Sequence, residues 1–317
     1  MPPQIDISVV VPICDEEDSL PLLHAEIATA LAPYGDAWEV LYVNDRSQDQ
    51  SLAVMLKLRE SDPHIRVLHF RRNFGQTAAM AAGFEHARGR VVVTLDGDLQ
   101  NDPADIPRLL DKIEEGYDIV AGWRKVRHDG FILRRLPSIA ANRLIAWVTD
   151  VPIHDTGCTL KAMRRELVEN LPIYAEQHRF LPAMSAGSGA RVAELVVNHR
   201  ARRFGESKYG IGRATRVALD LMTIKMISSF SQRPGQYFGM LAMPFVFGII
   251  VFLGVAFANW GIITLRETWG YVVVMSVMLF SMTCVYFVLL GLLAELVVKA
   301  SGIHDQKSRV LVRSLEY

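Results

Sequence analysis

Apolar positions fall along the chain in two distinct patterns. Up to about residue 210 they form short β-branched runs at 7–11, 39–43, 65–70, 91–95 and 119–121, alternating with segments of helical period at 20–31, 51–59, 77–87 and 104–115. Runs of this length predict strands buried on both faces, and their alternation with helices predicts an α/β fold, a mainly parallel sheet covered by helices. Ligands in such folds bind beyond the carboxyl ends of the strands. The second pattern begins at Arg233. No charged residue follows until Arg266, and another uncharged stretch covers 268–294. A bilayer core of about 30 Å needs about 20 helical residues, so the stretch 238–258 and its successor predict two spanning helices. They form a hairpin connected around Arg266 and Glu267. Pro244 within the first is tolerable near a helix start or as a kink. Between the two patterns, 212–232 reads as an amphipathic helix, with Val217, Leu221, Ile224 and Ile227 on one side and Arg213, Arg216 and Lys225 elsewhere. Such a helix suits a membrane surface, with packing on the globular domain as the plainer alternative.

Composition and charge narrow the partners. With 50% apolar and 21% charged residues among 317, the chain can bury a substantial core and is not disordered. Thirty-four Lys and Arg balance 34 Asp and Glu, so net charge gives no reason to expect nucleic acid as a partner. The basic residues are nevertheless unevenly placed. Arg200, Arg202, Arg203, Lys208, Arg213, Arg216, Lys225 and Arg233 crowd the approach to the first span against Glu206 and Asp220, and Lys299, Lys307, Arg309 and Arg313 follow the second. By the positive-inside rule both ends of the hairpin face the cytoplasm. The apolar run at 7–12 follows Asp6 rather than a basic region, so no signal peptide is expected. Cys14, Cys158 and Cys284 are too scattered for a zinc ribbon or a disulfide framework and are expected to be buried thiols in a reducing compartment.

The richest local chemistry is VVVTLDGDLQN at 91–101. A buried strand runs into two aspartates spaced i, i+2, and in extended geometry Asp96, Asp98 and Gln100 project to one side. An oxygen-only set of this kind suits Mg²⁺ or Mn²⁺ held together with substrate phosphates. A strand-end turn with solvated aspartates is the alternative. No GxxxxGK[ST] loop is present, and Gly210-Ile211-Gly212 lacks the third glycine of a dinucleotide fingerprint, so a diphosphate here would be held by metal and basic side chains.

Six segments in register, VVVPICDEEDSL, VLYVNDRSQDQS, RRNFGQTAAMAAGF, TLDGDLQNDP, HDTGCTLKAMRRE and RRFGESKYG, followed by two hydrophobic spans, resemble the family 2 glycosyltransferases. More narrowly, the chain resembles the polyprenyl-phosphate glycosyltransferases, the group that includes undecaprenyl-phosphate glucosyl- and aminoarabinose-type transferases and is related to dolichol-phosphate mannose synthase. The resemblance implies a cytoplasmic GT-A catalytic domain over 1–210, a juxtamembrane amphipathic helix over 211–233, a two-helix transmembrane hairpin over 234–299 and a cytoplasmic tail over 300–317. It implies a bacterial inner-membrane enzyme that moves a sugar, with inversion, from a nucleotide sugar, with a UDP-sugar as the expected donor, to a polyprenyl phosphate such as undecaprenyl phosphate. Self-association is a further expectation. A processive polysaccharide synthase is one alternative, but none of Trp38, Trp123, Trp147, Trp260 or Trp269 follows an arginine as a QxxRW motif requires. A non-catalytic sugar-nucleotide-binding membrane protein is the other.

The resemblance also implies roles for residues. Pro12, Asp15, Glu16 and Asp45 correspond to the nucleoside pocket, where carboxylates accept hydrogen bonds from ribose and base. Asn73 and Gly75 line the nucleotide site. Asp96, Asp98 and Gln100 resemble the metal triad, with Asp98 also counted as catalytic. Asp155 matches the acid near the reacting sugar and acceptor, either orienting a group or, less favoured, acting as base, because a phosphate acceptor is already ionised near neutral pH. Arg202, Ser207 and Lys208 resemble the grip on the acceptor phosphate, with Arg124 and Arg135 as further candidates. Two departures stand out. Asp15 replaces a frequent Asn, and Asn44-Asp45-Arg46-Ser47 replaces Asp-Asp-Gly-Ser, so Arg46 takes the place of a tight-turn glycine.

Overall fold

A computed structural model describes residues 5–125, 153–169, 179, 181–187, 189–201, 234–258 and 267–300. These fall into two compact units, a sheet domain and a helical hairpin.

The sheet domain is built from β1 (Ile7–Ile13), α1 (Leu20–Leu31), β2 (Trp38–Asn44), α2 (Ser51–Ser61), β3 (Ile65–His69), α3 (Gln76–His86), β4 (Val91–Thr94), α4 (Ile106–Glu114), β5 (Ile119–Trp123), β6 (Lys161–Arg164), α5 (Arg165–Glu169), α6 (Leu181–Gly187) and β7 (Val192–Val196). The strands form one sheet in the order β3-β2-β1-β4-β6-β5-β7. All pairs are parallel except those of β6, which runs against both β4 and β5. The five strands and four helices expected from the apolar pattern are present. Strands β6 and β7 are additions to it.

Side chains alternate across the sheet as a pleat requires. Val9, Val11 and Ile13 join Val40, Tyr42, Val93, Leu23 and Leu109 in one buried cluster, whereas Val10 joins Val43, Met80, Phe84, Val92 and Met163 in the other. A Cβ at Gly83 would overlap a Val10 side-chain methyl, so glycine there lets α3 lie directly on β1.

Register determines where the site forms. Ile13 lies opposite Asn44, and Asn44 opposite His69, so β1, β2 and β3 end together. Thr94 pairs with Lys161, and Lys161 with Ala121, so the end of β4, the start of β6 and the end of β5 share the same rim. The chain leaves β1 toward β2 and returns from β3 to β4 on the other side of β1. This reversal opens a crevice beside β1 and β4, where ligands of open α/β sheets bind. Pro12 lies beyond the last β4 residue in register, Thr94 opposite Val10, so its missing N–H leaves that ladder intact.

The hairpin consists of α7 (Pro234–Ala258) and α8 (Glu267–Ala300), each longer than the stretch, 238–258 or 268–294, from which it was expected. Phe245 and Phe252 pack against Phe280 with ring centroids 5.9 and 5.7 Å apart, and Gly248 lies beneath the same ring. The remaining faces are apolar and bare: Met240, Phe247, Leu279 and Met282 are each more than 60% exposed. Within 235–258 and 270–297, 18-residue windows reach a mean hydropathy of 2.5 and 2.4, which with the length of the helices suits them to cross a membrane. The amphipathic helix expected at 211–233 and the tail at 300–317 lie outside the described residues, apart from Ala300.

Candidate functional site

Three turns at the ends of β1, β2 and β3 are stitched together by carboxylates. Asp15, in the left-handed region at φ +56°, accepts from the Gln48 N–H at 2.7 Å and donates its own N–H to Ser47 Oγ at 3.1 Å. The Glu16 N–H reaches Ser51 Oγ at 2.8 Å, while its side chain accepts from the Ser19 hydroxyl ahead of α1. Asp45 is buried, and its two oxygens accept the N–H groups of Phe74 and Gly75 at 2.7 and 2.9 Å. Asn73 Nδ2 in turn donates to the Asp45 carbonyl at 3.1 Å. Gly75 sits at φ +92°, a conformation that favours glycine. Arg46, which stands where the family often has a tight-turn glycine, takes the left-handed conformation at φ +60° with its side chain exposed. Pro12, Asp15, Glu16, Asp45, Asn73 and Gly75 thus gather along one arc of the rim.

The second group lies at the end of β4. Asp96 accepts from Gln76 Nε2 at 2.7 Å and from the Thr159 hydroxyl at 2.6 Å. Burial and the neighbouring Asp98 charge push its carboxyl up to about 6, against the pull of the Thr159 hydrogen bond and the cations Arg124 and Lys161. Asp98 is buried and accepts the Gln100 N–H at 3.1 Å. Here the sequence expectation needs correction. Strand β4 stops at Thr94 and Leu99 takes φ +61°, so 96, 98 and 100 do not share a side by extended alternation; a turn folds the Gln100 backbone onto Asp98 instead.

The third group joins β5 to the segment before β6. Arg124 grips Asp155 as a fork, Nε to Oδ2 at 2.7 Å and Nη2 to Oδ1 at 2.9 Å, and adds its backbone N–H at 3.2 Å. Both side chains are largely withdrawn from solvent, at 14% and 5% exposure. The fork holds the guanidinium firmly cationic. Thr94 donates its hydroxyl to the Thr159 carbonyl, and the buried Lys161 ammonium donates to the Cys158 carbonyl. Burial lowers Lys161 to about 8. These bonds fix the 155–160 turn that carries both Asp155 and Thr159. After β7, the Arg200 N–H bonds the Gln100 carbonyl at 2.8 Å, and its guanidinium bridges Glu26 and Asp102 at 2.7 Å each.

The rim therefore brings together Asp15, Glu16, Asp45, Asn73, Gly75, Asp96, Asp98, Arg124 and Asp155. Arg135, Arg202, Ser207 and Lys208 lie outside the described residues. Among the cysteines only Cys158 is buried; Cys14 and Cys284 are half-buried, Cys14 because it lies past the end of β1 in the site turn. Gln76, Thr159 and Lys161 belong to the site and were not anticipated. The first opens α3 immediately after the Asn73–Gly75 turn, a position that could have signalled it. No group of three His, Cys, Asp or Glu side chains poised around one point occurs among the described residues. The donor set still fits a hard divalent cation. Two adjacent carboxylates, one buried enough to raise its proton affinity beside the other's charge, present hard oxygen donors of the kind such an ion takes.

Residues 8–171 match the family described as "Glycosyl transferase family 2". A dodecaprenyl-phosphate galacturonate synthase of Rhizobium johnstonii is 38% identical over 316 residues, covering 98% of this chain and 93% of the relative. An undecaprenyl-phosphate 4-deoxy-4-formamido-L-arabinose transferase of Salmonella paratyphi B is 40% identical over 218 residues, covering 68% and 66%. In fold the chain is similar to glucosyl-3-phosphoglycerate synthase from Mycobacterium tuberculosis, solved with Mn²⁺ and UDP-glucose, with a TM-score of 0.54 at 18% identity over 70% of this chain and 79% of that one. It is likewise similar to S. aureus TarS 1–349 solved with UDP-GlcNAc, with a TM-score of 0.52 at 20% identity over 70% and 67%.

Proposed function

The chain belongs to glycosyl transferase family 2, and from that premise we propose that it transfers one sugar from a UDP-sugar to a polyprenyl phosphate at the cytoplasmic face of the inner membrane, with inversion at the sugar carbon. The observation that carries this reading is the rim itself. Nucleoside-type carboxylates, an acidic pair and a pre-oriented arginine converge at the β1/β4 crevice of a chain that also contains two bare apolar helices. The relative with end-to-end similarity carries a polyprenyl phosphate in its name.

The chemistry follows from charge. An acceptor phosphate oxygen attacks the sugar C1, the bond from C1 to the diphosphate oxygen breaks, and a nucleoside diphosphate leaves. The acceptor is largely ionised near pH 7, so no proton has to be removed from it. Asp15, Glu16, Asp45, Asn73 and Gly75, with Pro12 behind them, form the nucleoside side of the crevice. Asp96 and Asp98 would hold Mg²⁺ or Mn²⁺, with Gln100 on the same turn, and the cation when bound supplies positive charge for the leaving diphosphate. Asp155 spends both oxygens on Arg124, which suits it to orienting that arginine rather than to accepting a proton. The fork occupies two of the five guanidinium N–H donors and leaves the others for a phosphate. Arg135, Arg202, Ser207 and Lys208 complete the phosphate grip. The domain 1–210 is catalytic, 211–233 lies on the membrane surface, 234–299 spans it twice, and both chain ends are cytoplasmic, as the flanking charge requires. Offering the purified full chain a panel of labelled UDP-sugars with undecaprenyl phosphate tests the reading: one donor should yield labelled lipid, and label appearing only in polymer or free sugar refutes it.

A further inference from the structure

Two dipeptides lie side by side where β5 meets the segment before β6. Trp123 and His154 stack with ring centroids 4.4 Å apart and planes 17° apart. One residue further in each segment, Arg124 and Asp155 form the forked pair. A single side chain from β7 ties one of these dipeptides down. Glu194 Oε1 accepts the backbone N–H groups of both His154, at 2.8 Å, and Asp155, at 3.1 Å, while Oε2 meets His154 Nδ1 at 2.7 Å. The Glu194 side chain is 12% exposed and that of His154 62%, so the carboxylate works from inside and the imidazole forms the rim. Strand pairing fixes the origin of this contact: Glu194 stands opposite Ala121, three residues before Arg124 on the neighbouring strand.

The reaction outlined above makes no use of Glu194. We propose that Glu194 is a positioning residue for transfer: by clamping the His154–Asp155 backbone it sets the place at which Asp155 meets Arg124, and thereby the direction of the arginine donors left for a phosphate. The chemical part of this inference rests on the function proposed above, whereas the clamp rests on geometry alone. The physical case has three steps. A carboxylate that accepts two consecutive backbone N–H groups fixes a peptide plane rather than one rotatable side chain. The fixed plane carries Asp155, whose two oxygens dictate the orientation of a planar guanidinium. Binding of a reacting group by that guanidinium is sensitive to position, since a misplacement of about 1 Å costs on the order of 100-fold in rate. The Trp123–His154 stack closes the unit from the solvent side.

Glu194→Ala and Glu194→Gln test the proposal in the full-length protein in detergent. Gln keeps an oxygen able to accept both N–H groups, whereas Ala keeps nothing. Hydrogen exchange of the peptide spanning 153–160 should show protected His154 and Asp155 amides in the wild type and in Glu194→Gln, and faster exchange in Glu194→Ala. With undecaprenyl phosphate as acceptor, kcat/KM in Glu194→Ala should fall about 10- to 100-fold, with donor Kd changed less than about twofold, and Glu194→Gln should recover to within about threefold of wild type. Wild-type protection or wild-type acceptor kinetics in Glu194→Ala overturns the proposal. So does a loss in which donor affinity, Tm and acceptor kinetics fall together, because that pattern marks general structural support. If the wild type makes no lipid-linked sugar, the proposed function fails by itself, and the exchange measurement still decides whether the clamp exists.

Discussion

Asp155→Asn separates the two roles that a carboxylate at this place can play. The substitution preserves shape and removes charge. In the native pair Arg124 donates to Asp155 at 2.7 and 2.9 Å, with the two side chains 14% and 5% exposed. Hydrogen bonds to charged partners contribute about 1.5–3 kcal/mol each, and an asparagine oxygen still accepts one of the two. The loss is therefore one charge-assisted bond together with the neutralisation of a largely desolvated arginine, about 2–4 kcal/mol in all. If Asp155 acts by orienting Arg124, this appears as a fall of about 30- to 1000-fold in kcat/KM for the lipid acceptor. The same substitution made in an Arg124→Ala background should then cost less than about threefold, because the group it positions is gone. A general base would lose the same factor in both backgrounds. The assay is acceptor kinetics on the wild type, both single variants and the double variant in neutral detergent. Additive losses refute the orienting role.

Three further outcomes follow from the rim. Burial and the charge of Asp98 hold Asp96 at about 6, above its ordinary 3.8; between these values the folded, metal-free protein retains a proton that the unfolded chain releases, so stability falls as pH rises from about 4 to 6. Thermal melts in chelator should show that slope in the wild type and a flatter one in Asp96→Asn, and equal slopes would contradict the assignment. Chelation with EDTA should abolish transfer, Mg²⁺ or Mn²⁺ should restore it, and Asp98→Asn should lower the rate by about 100-fold or more, whereas full turnover of Asp98→Asn in excess EDTA would remove the acidic pair from the reaction. Arg46→Gly relieves a left-handed backbone at φ +60° at the cost of glycine's greater freedom when unfolded, so stability should change by about 0–1 kcal/mol in the favourable direction; a clear loss by chemical unfolding would mean that the guanidinium contributes contacts of its own.

How much of this was legible in the sequence depended on range. The strand β4 and its acidic exit could be read locally, because a run of β-branched residues ending in Asp-Gly-Asp identifies both the strand and the rim on which the carboxylates lie. The sequence left the backbone at Arg46 open, because an arginine replaces the glycine that favours a left-handed turn, and the structure keeps that turn at φ +60°. The alternation rule failed just beyond Thr94, where Leu99 turns the backbone and Gln100 follows a path that period two does not describe. Strand β6 escaped notice because four residues, Lys161–Arg164, carry too little pattern, and β7 because its residues are only half-buried. Arg124 and Asp155 could each be placed by resemblance, but their fork is a contact across 31 residues that neither local sequence encodes. Glu194 lay further still from any signal: a lone carboxylate in an edge strand looks like a solvated side chain until its two backbone partners are in place.

The central claim is that this rim passes a sugar to a lipid phosphate, and the most direct measurement is the fate of label from a UDP-sugar panel incubated with the purified full chain, undecaprenyl phosphate and Mg²⁺ or Mn²⁺. The account predicts that one donor delivers its sugar to the organic-extractable lipid as a single residue with the anomeric configuration inverted relative to the donor, with release of one UDP per sugar, and that Asp98→Asn does not. Label that stays water-soluble with every donor, or that accumulates as polymer without a lipid-linked monosaccharide, would contradict it.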